Sequence, residues 1–128
     1  MFSVGLPPPQ AAAALAALRN LVAEPERVNQ LRERSEWLRD ALGALGLDTG
    51  TSGESAVVPW VVGDSQRALE LAMRLRMQRI QVHPIIAPAV DERGARLRFF
   101  VTSEHRFEDL ADTVAAVRRV IGANCNDD

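Results

Sequence analysis

Apolar residues recur with the spacing of a helix in three stretches of the chain. In residues 28–45, 65–79 and 107–121 they return every three or four positions, so each stretch presents one apolar face. Gly46 and Gly122 follow two of these stretches, and glycine is common where a helix ends. The pattern predicts three amphipathic helices.

Three shorter stretches are typical of β-strands. Residues 56–62 form an apolar run rich in β-branched side chains, and residues 80–86 form a second run that Pro84 interrupts. In residues 95–102, Leu97 and three other apolar residues occupy every second position. Because side chains of a strand alternate, these four lie on one face. We therefore expect three strands, of which the last has the clearest pattern.

The N-terminal region differs from both kinds of stretch. Three consecutive prolines predict an extended connector over residues 1–10, with no helix before Pro9. Alanine and leucine then predict a helix over residues 11–23. Pro25 either kinks one long helix or begins a second one.

Some polar and sulfur-containing side chains have a structural interpretation. Asp64 or Ser65 is predicted to cap the helix that follows, and Met73 and Met77 are predicted to fill the core. The charged side chains of residues 33–39 lie mostly off the apolar stripe of their helix. They are predicted to form a solvated face, the alternative being a face that packs against another domain.

The order of the predicted elements is helix, helix, strand, helix, strand, strand, helix. This order predicts an α+β fold, in which a small, mostly antiparallel sheet is covered by helices on one face and preceded by a long helical segment. With 128 residues, the chain has room for one domain. We assign residues 11–122 to that domain and residues 123–128 to a polar tail.

Composition narrows the classes of function. The formal net charge of -2 gives no attraction to a nucleic-acid backbone, so we expect no nucleic-acid partner. No apolar run approaches the length that spans a bilayer, and the single cysteine, Cys125, permits no intrachain disulfide. A cytoplasmic protein is expected. All fifteen Lys+Arg positions are arginine, which excludes chemistry that needs a lysine amine from this chain.

Motifs for several kinds of catalysis are missing. The glycines form neither a dinucleotide-binding fingerprint nor a Walker loop, and no cysteine spacing is typical of a metal site. His83 and His105 are the two imidazoles, and Ser103 lies near the second, but no nucleophile elbow surrounds them. No catalytic residue and no metal site are predicted.

Arg98 is the strongest candidate for binding. It lies in the middle of the third predicted strand, on the face opposite the apolar side chains, with Phe100 two residues on. A half-buried guanidinium needs an anionic partner. Either a neighbouring carboxylate or solvent satisfies it, or it binds a substrate carboxylate through its planar fork. Arg96 shares the face and stays open as an alternative.

Five short motifs resemble, in order, the α-oxoamine synthase family. The first is the run from Phe2 to Pro8, which precedes an alanine-rich helix. The others are Val57-Val58-Pro59, Gly63-Asp64, the stretch Val82-His83-Pro84-Ile85-Ile86-Ala87-Pro88-Ala89-Val90, and Ala95-Arg96-Leu97-Arg98 followed by Ser103-Glu104-His105. The resemblance covers residues 2 to about 121.

The resemblance implies a function. Enzymes of this family are homodimers of fold type I that condense an amino acid with an acyl thioester on pyridoxal phosphate (PLP). Arg98 matches the family's substrate-carboxylate ligand, and Ser3 lies in a segment that approaches the cofactor phosphate of the neighbouring subunit. Pro84 and Pro88 match prolines that shape the loop beside the substrate, although both positions equally suit the end of a strand. The chain matches the family's small C-terminal domain.

Two departures from the family limit what is expected. Arg106 replaces a threonine that caps the last helix, so capping is expected to pass to His105 with Glu108. The cofactor lysine is absent, and the resemblance places it in a large domain outside this chain. The chain alone is therefore expected to be inactive, and a transaminase small domain or a non-catalytic binding or dimerisation module remain alternatives.

Overall fold

The computed structural model describes residues 5–51 and 53–122. The fold contains four α-helices, three β-strands and one short 3-10 turn. The helices are α1 (Pro8–Ala23), α2 (Glu26–Gly43), α3 (Ser65–Met77) and α4 (Phe107–Gly122). The strands are β1 (Val57–Val61), β2 (His83–Ile85) and β3 (Arg96–Phe100), and the turn spans Glu92–Gly94.

The three strands form one antiparallel sheet in the order β1-β3-β2. Leu97 of β3 lies opposite Trp60 of β1 and Pro84 of β2. Because cross-strand partners share a face, this register fixes which side chains of the three strands lie together. Because β3 is the central strand and pairs with both others, its two faces define the two faces of the sheet.

One face of the sheet carries the core. Val58, Trp60, Leu97 and Phe99 are buried, and they belong to a cluster with apolar residues of α2, α3 and α4. Their neighbours in sequence point to the other face, since side chains alternate along a strand. The predicted α+β fold, with helices on one face of a small antiparallel sheet, is confirmed.

The start of α1 differs from the prediction. The helix begins at Pro8 rather than after Pro9, with Pro7 at the N-cap position. Proline is tolerated in the first turn because its missing amide hydrogen would have no partner within the helix. Of the two alternatives for Pro25, the structure shows the second, because α1 ends at Ala23 and Pro25 is the N-cap residue of α2.

Strand β2 is shorter than the predicted run of residues 80–86. The amide of Ile80 donates to the carbonyl of Leu75 at 3.0 Å, and Arg79 has a φ of 65° and donates to Arg76 at 2.9 Å. These two bonds close the end of α3 as a Schellman motif. Residues 78–80 therefore complete a helix end and do not extend the strand.

The cap of α3 is confirmed and the expected cap of α4 is wrong. Asp64 accepts a hydrogen bond from the amide of Arg67 at 2.6 Å. Before α4, the amide of Arg106 donates to Asp109 at 3.0 Å, whereas Nδ1 of His105 accepts from the amide of Thr102. The side-chain hydrogen bond from Arg106 is the main reason that the pKa of Asp109 lies below its usual value. An acid at the third helical position thus accepts from the amide of the residue just before the helix, which is one half of a capping box.

Two predictions about helix faces are wrong in part. Met73 is 60% and Met77 is 85% exposed, so neither fills the core. Within residues 33–39, Arg34 and Arg39 are half-buried and donate to the carbonyls of His105 and Ser55. These two arginines connect α2 to the loops around it, and only the neighbouring acids form a solvated face.

Candidate functional site

Among the described residues, the apolar faces of α2, α3 and α4 pack on one face of the sheet, and the site lies on the other. We call this other face the open face, and in β2 and β3 it consists of His83, Ile85, Arg96, Arg98 and Phe100, according to the register. The core residues Leu97 and Phe99 point the opposite way. The alternation that singled out Arg98 in the sequence therefore places it as predicted, on the face away from the apolar core.

Arg98 has no anionic partner in the described residues. Its side chain is half-buried, and its Nε atom is buried without a hydrogen-bond partner. Its guanidinium carbon lies 5.7 Å from the centroid of the Phe100 ring, at the distance of a cation-π contact. A buried donor without a partner is costly. Within residues 5–51 and 53–122, no carboxylate offers the ion pair that was the structural alternative for this residue.

Arg96 lies on the same face and is bound differently. Its Nε donates to the carbonyl of Gly94 at 2.7 Å. A Cβ atom added to Gly94 would lie 3.1 Å from Nη2 of Arg96, so this guanidinium packs tightly over the turn. The structure thus separates two arginines that the sequence pattern could not, because one holds a turn and the other is unpaired.

His83 lies beside Arg98, which the sequence did not predict. The two residues are cross-strand partners in the register of β2 and β3. The ring of His83 meets the ring of Phe100 edge to face, with centroids 5.1 Å apart and an interplanar angle of 83°. The alternation within β3 identifies the face of Arg98, but it says nothing about which residue of another strand is paired with it.

The other residues singled out in the sequence do not join this group. Ser3 lies outside the described residues, as does Cys125. The ring of His105 accepts a hydrogen bond from the amide of Thr102 in the loop before α4, so this histidine has a structural role. No group of three metal-ligating side chains occurs in the part of the chain that the structure describes. None of its helices is long and apolar enough to cross a membrane.

A groove of about 700 Å³ lies near the end of α3, and its lining includes Phe99 of the core face and Phe100 of the open face. Its lining includes Gln78 and Arg119, which are hydrogen-bonded to each other at 2.9 Å, and Asp112 and Thr113 of α4. Arg98 does not line it. The groove has charged walls of both signs and no unpaired buried group, so we place the candidate site on the open face.

The chain is similar to known proteins of one family. The sequence profile described as "Aminotransferase class I and II" matches residues 1–116. The chain is 38% identical over 120 residues to 8-amino-7-oxononanoate synthase of Symbiobacterium thermophilum, covering 94% of this chain and 30% of that protein. The chain thus spans about 30% of the length of this curated relative.

Solved structures show the same fold. The serine palmitoyltransferase of Sphingomonas wittichii superposes with a TM-score of 0.83 at 24% identity, covering 96% of this chain and 31% of that one. A serine palmitoyltransferase from S. paucimobilis, solved with a bound PLP-myriocin aldimine, superposes with a TM-score of 0.79 at 27% identity. That match covers 95% of this chain and 32% of the other.

Proposed function

The chain belongs to the aminotransferase class I and II family, as a part homologous to the α-oxoamine synthases, and on this premise we propose that it completes a PLP-dependent acyltransferase. In this proposal, residues 11–122 are the small domain, residues 1–10 connect it to a large PLP-binding domain, and residues 123–128 form a tail. The complete enzyme condenses an amino acid with an acyl thioester and acts as a homodimer.

The observation that carries the proposal is the state of Arg98. Its guanidinium lies half-buried on the open face, with Nε buried and without a partner. An arginine fork binds a carboxylate with two parallel hydrogen bonds, which would satisfy such a donor and fix the orientation of the ligand. We assign to Arg98 the binding of the substrate carboxylate.

The residues of this chain fit a substrate-binding role better than a cofactor-binding one. The chain contains no lysine to which PLP could attach, so the large domain holds the cofactor in this proposal. PLP, when bound, acts as an electron sink that stabilises negative charge on the amino acid. Arg98 orients the carboxylate against that group, and Ser3 is proposed to contact the cofactor phosphate across the dimer. The chain alone is expected to be inactive.

Helix α1 provides the surface by which the small domain contacts the rest of the enzyme in this proposal. The helix has no buried residue, although leucines occur along its length. Leu15, Leu18 and Leu21 are among the exposed large apolar side chains. Exposed apolar side chains that cluster on one element mark a site of contact with other polypeptide. We propose that α1 packs against the large domain.

The test is a chimera in which residues 5–122 replace the matching region of the S. thermophilum relative. The assay follows the thiol released from an acyl-coenzyme A in the presence of glycine, L-alanine or L-serine. Arg98→Met is expected to lower kcat/KM by about 100-fold, since losing charge-assisted hydrogen bonds to a carboxylate has an effect of this order. We expect most of this change to be a rise in the KM for the amino acid.

The matched control is Arg96→Met, on the same strand and face. Arg96 is hydrogen-bonded to the carbonyl of Gly94, so we expect its replacement to change kcat/KM by less than about fivefold. A larger loss for Arg96→Met than for Arg98→Met would assign the carboxylate to Arg96. Amino-group transfer without any need for a thioester would favour a transaminase, and unchanged activity in both variants would favour a non-catalytic module.

A further inference from the structure

The open face carries an imidazole whose nitrogens have no partner in the chain. His83 is exposed, and neither ring nitrogen makes a hydrogen bond within the described residues. Its ring contacts Phe100 edge to face. The guanidinium of Arg98 contacts the same ring at 5.7 Å. Phe100 therefore contacts both polar groups and orders them on one surface.

The register brings the two polar groups within reach of one ligand. His83 and Arg98 are directly opposite in an antiparallel pair, where Cβ atoms are about 4.5–5.5 Å apart. On its other side, Arg98 faces Pro59 of β1, which has no side-chain hydrogen bond to offer. A ligand atom bound by Arg98 thus has His83 as its nearest polar neighbour across the sheet.

A carboxylate is the ligand that both groups suit. Its two oxygens provide about four lone-pair sites, and a guanidinium fork in a bidentate arrangement occupies two of them. The remaining sites are open to a second donor, and an imidazole N–H is such a donor. Among the described residues, no carboxylate forms an ion pair with Arg98 or His83.

We propose that His83 is a second substrate-binding residue, which donates a hydrogen bond to the carboxylate that Arg98 binds. This inference rests on the proposed function and extends it to a residue outside the arginine-leucine-arginine motif. It makes the site selective for a carboxylate over a neutral amide, because an amide offers one acceptor oxygen in place of two. The competing explanation is that the imidazole ring only packs against Phe100.

Two substitutions separate hydrogen bonding from packing. His83→Phe keeps an aromatic ring against Phe100 and removes the donor, whereas His83→Gln removes the ring and keeps a donor. In the chimera, the affinity for glycine, L-alanine or L-serine is measured by absorbance titration of the cofactor, without turnover. The same titration is repeated with glycinamide, L-alaninamide and L-serinamide.

His83→Phe is expected to weaken binding of the amino acids about tenfold and of the amides about twofold or less. His83→Gln is expected to restore most of the lost affinity for the amino acids. Thermal unfolding of each chimera checks that both variants are folded.

Three results would overturn the inference. Equal losses for acids and amides in His83→Phe would show that the imidazole does not act on the carboxylate. A loss in His83→Gln as large as in His83→Phe would assign the effect to the ring. Unchanged affinities in both variants would place His83 away from the substrate. Failure of the proposed function is distinguishable, because an unsubstituted chimera that binds none of these amino acids contradicts the function itself.

Discussion

Helices α1 and α4 each have 16 residues, yet they relate to the core in opposite ways. Helix α1 is rich in alanine and leucine and has no buried residue. Helix α4 contains acids and arginines, but Leu110, Ala116, Val117 and Val120 are all buried. Periodicity, rather than total hydrophobicity, decides which helix joins this core, because only a continuous stripe can cover the sheet without burying charge.

The difference also shows in how the two helices begin. Helix α1 begins at Pro8 with no side-chain cap. The amide of Arg106, just before α4, is bound by Asp109, and the guanidinium of Arg106 also pairs with this carboxylate. Helix α4 is thus stabilised by its own sequence and by the core, while α1 has its helix propensity and, in our proposal, contacts with the large domain.

A charge placed in the buried stripe of α4 should have the largest effect. Val117 has an exposed fraction of 0%, so Val117→Asp would bury an unpaired carboxylate. We expect it to lower the free energy of unfolding by about 4 kcal/mol or more. Denaturant unfolding followed by circular dichroism measures the change. Ala111→Asp, on the exposed face of the same helix, is the control, and equal losses in both variants would contradict the assignment of α4 to the core.

The cap of α4 predicts a smaller effect that depends on pH. Because the pKa of Asp109 is lowered in the folded chain, mainly by the hydrogen bond from Arg106, its contribution is present above the unfolded pKa of about 4. The contribution is lost as the pH falls through the folded value. Asp109→Asn should therefore lower the unfolding temperature at pH 7 and have little effect near pH 2.

The control for the cap is Asp112→Asn, one turn further along the exposed side of α4. It should change the unfolding temperature less than Asp109→Asn at pH 7. A difference between the parent and Asp109→Asn that has the same size at both pH values would show that the charge of Asp109 is unimportant.

The smallest effect is expected in α1. Leu18 is 60% exposed, and leucine and glutamine have similar helix propensities, so Leu18→Gln should change the free energy of unfolding of this chain by less than about 0.5 kcal/mol. In the chimera the same substitution should cost more, because we propose that α1 packs against the large domain. Thermal unfolding of both proteins makes the comparison, and equal small changes in both would contradict that packing.

The sequence predicted every helix and strand of this fold, with errors mainly at the ends. The strand predicted over residues 80–86 lost its first part because Arg79 and Ile80 close helix α3. Met73 and Met77 were misassigned because methionine is usually buried, whereas these two lie on the exposed side of α3. Such errors arise where a residue type has a strong average preference that the local packing does not follow.

Only part of the candidate site could be predicted from the sequence. The alternation in β3 placed Arg98 opposite the apolar face, and the family resemblance singled out this arginine over Arg96. The contact of Arg96 with Gly94 and the position of His83 were not predictable, because neither is a property of a single strand. Ser3 stays a prediction, since it lies outside the described residues.

By itself, the sequence determined the type and order of the elements and the face of β3 on which Arg98 lies. These are properties of consecutive residues, set by backbone propensity and by the periods of the helix and the strand. Tertiary structure alone decided that His83 pairs with Arg98, that Nε of Arg98 is buried without a partner, and that α1 stays uncovered. Register and burial depend on how distant segments pack, and no local pattern contains that information.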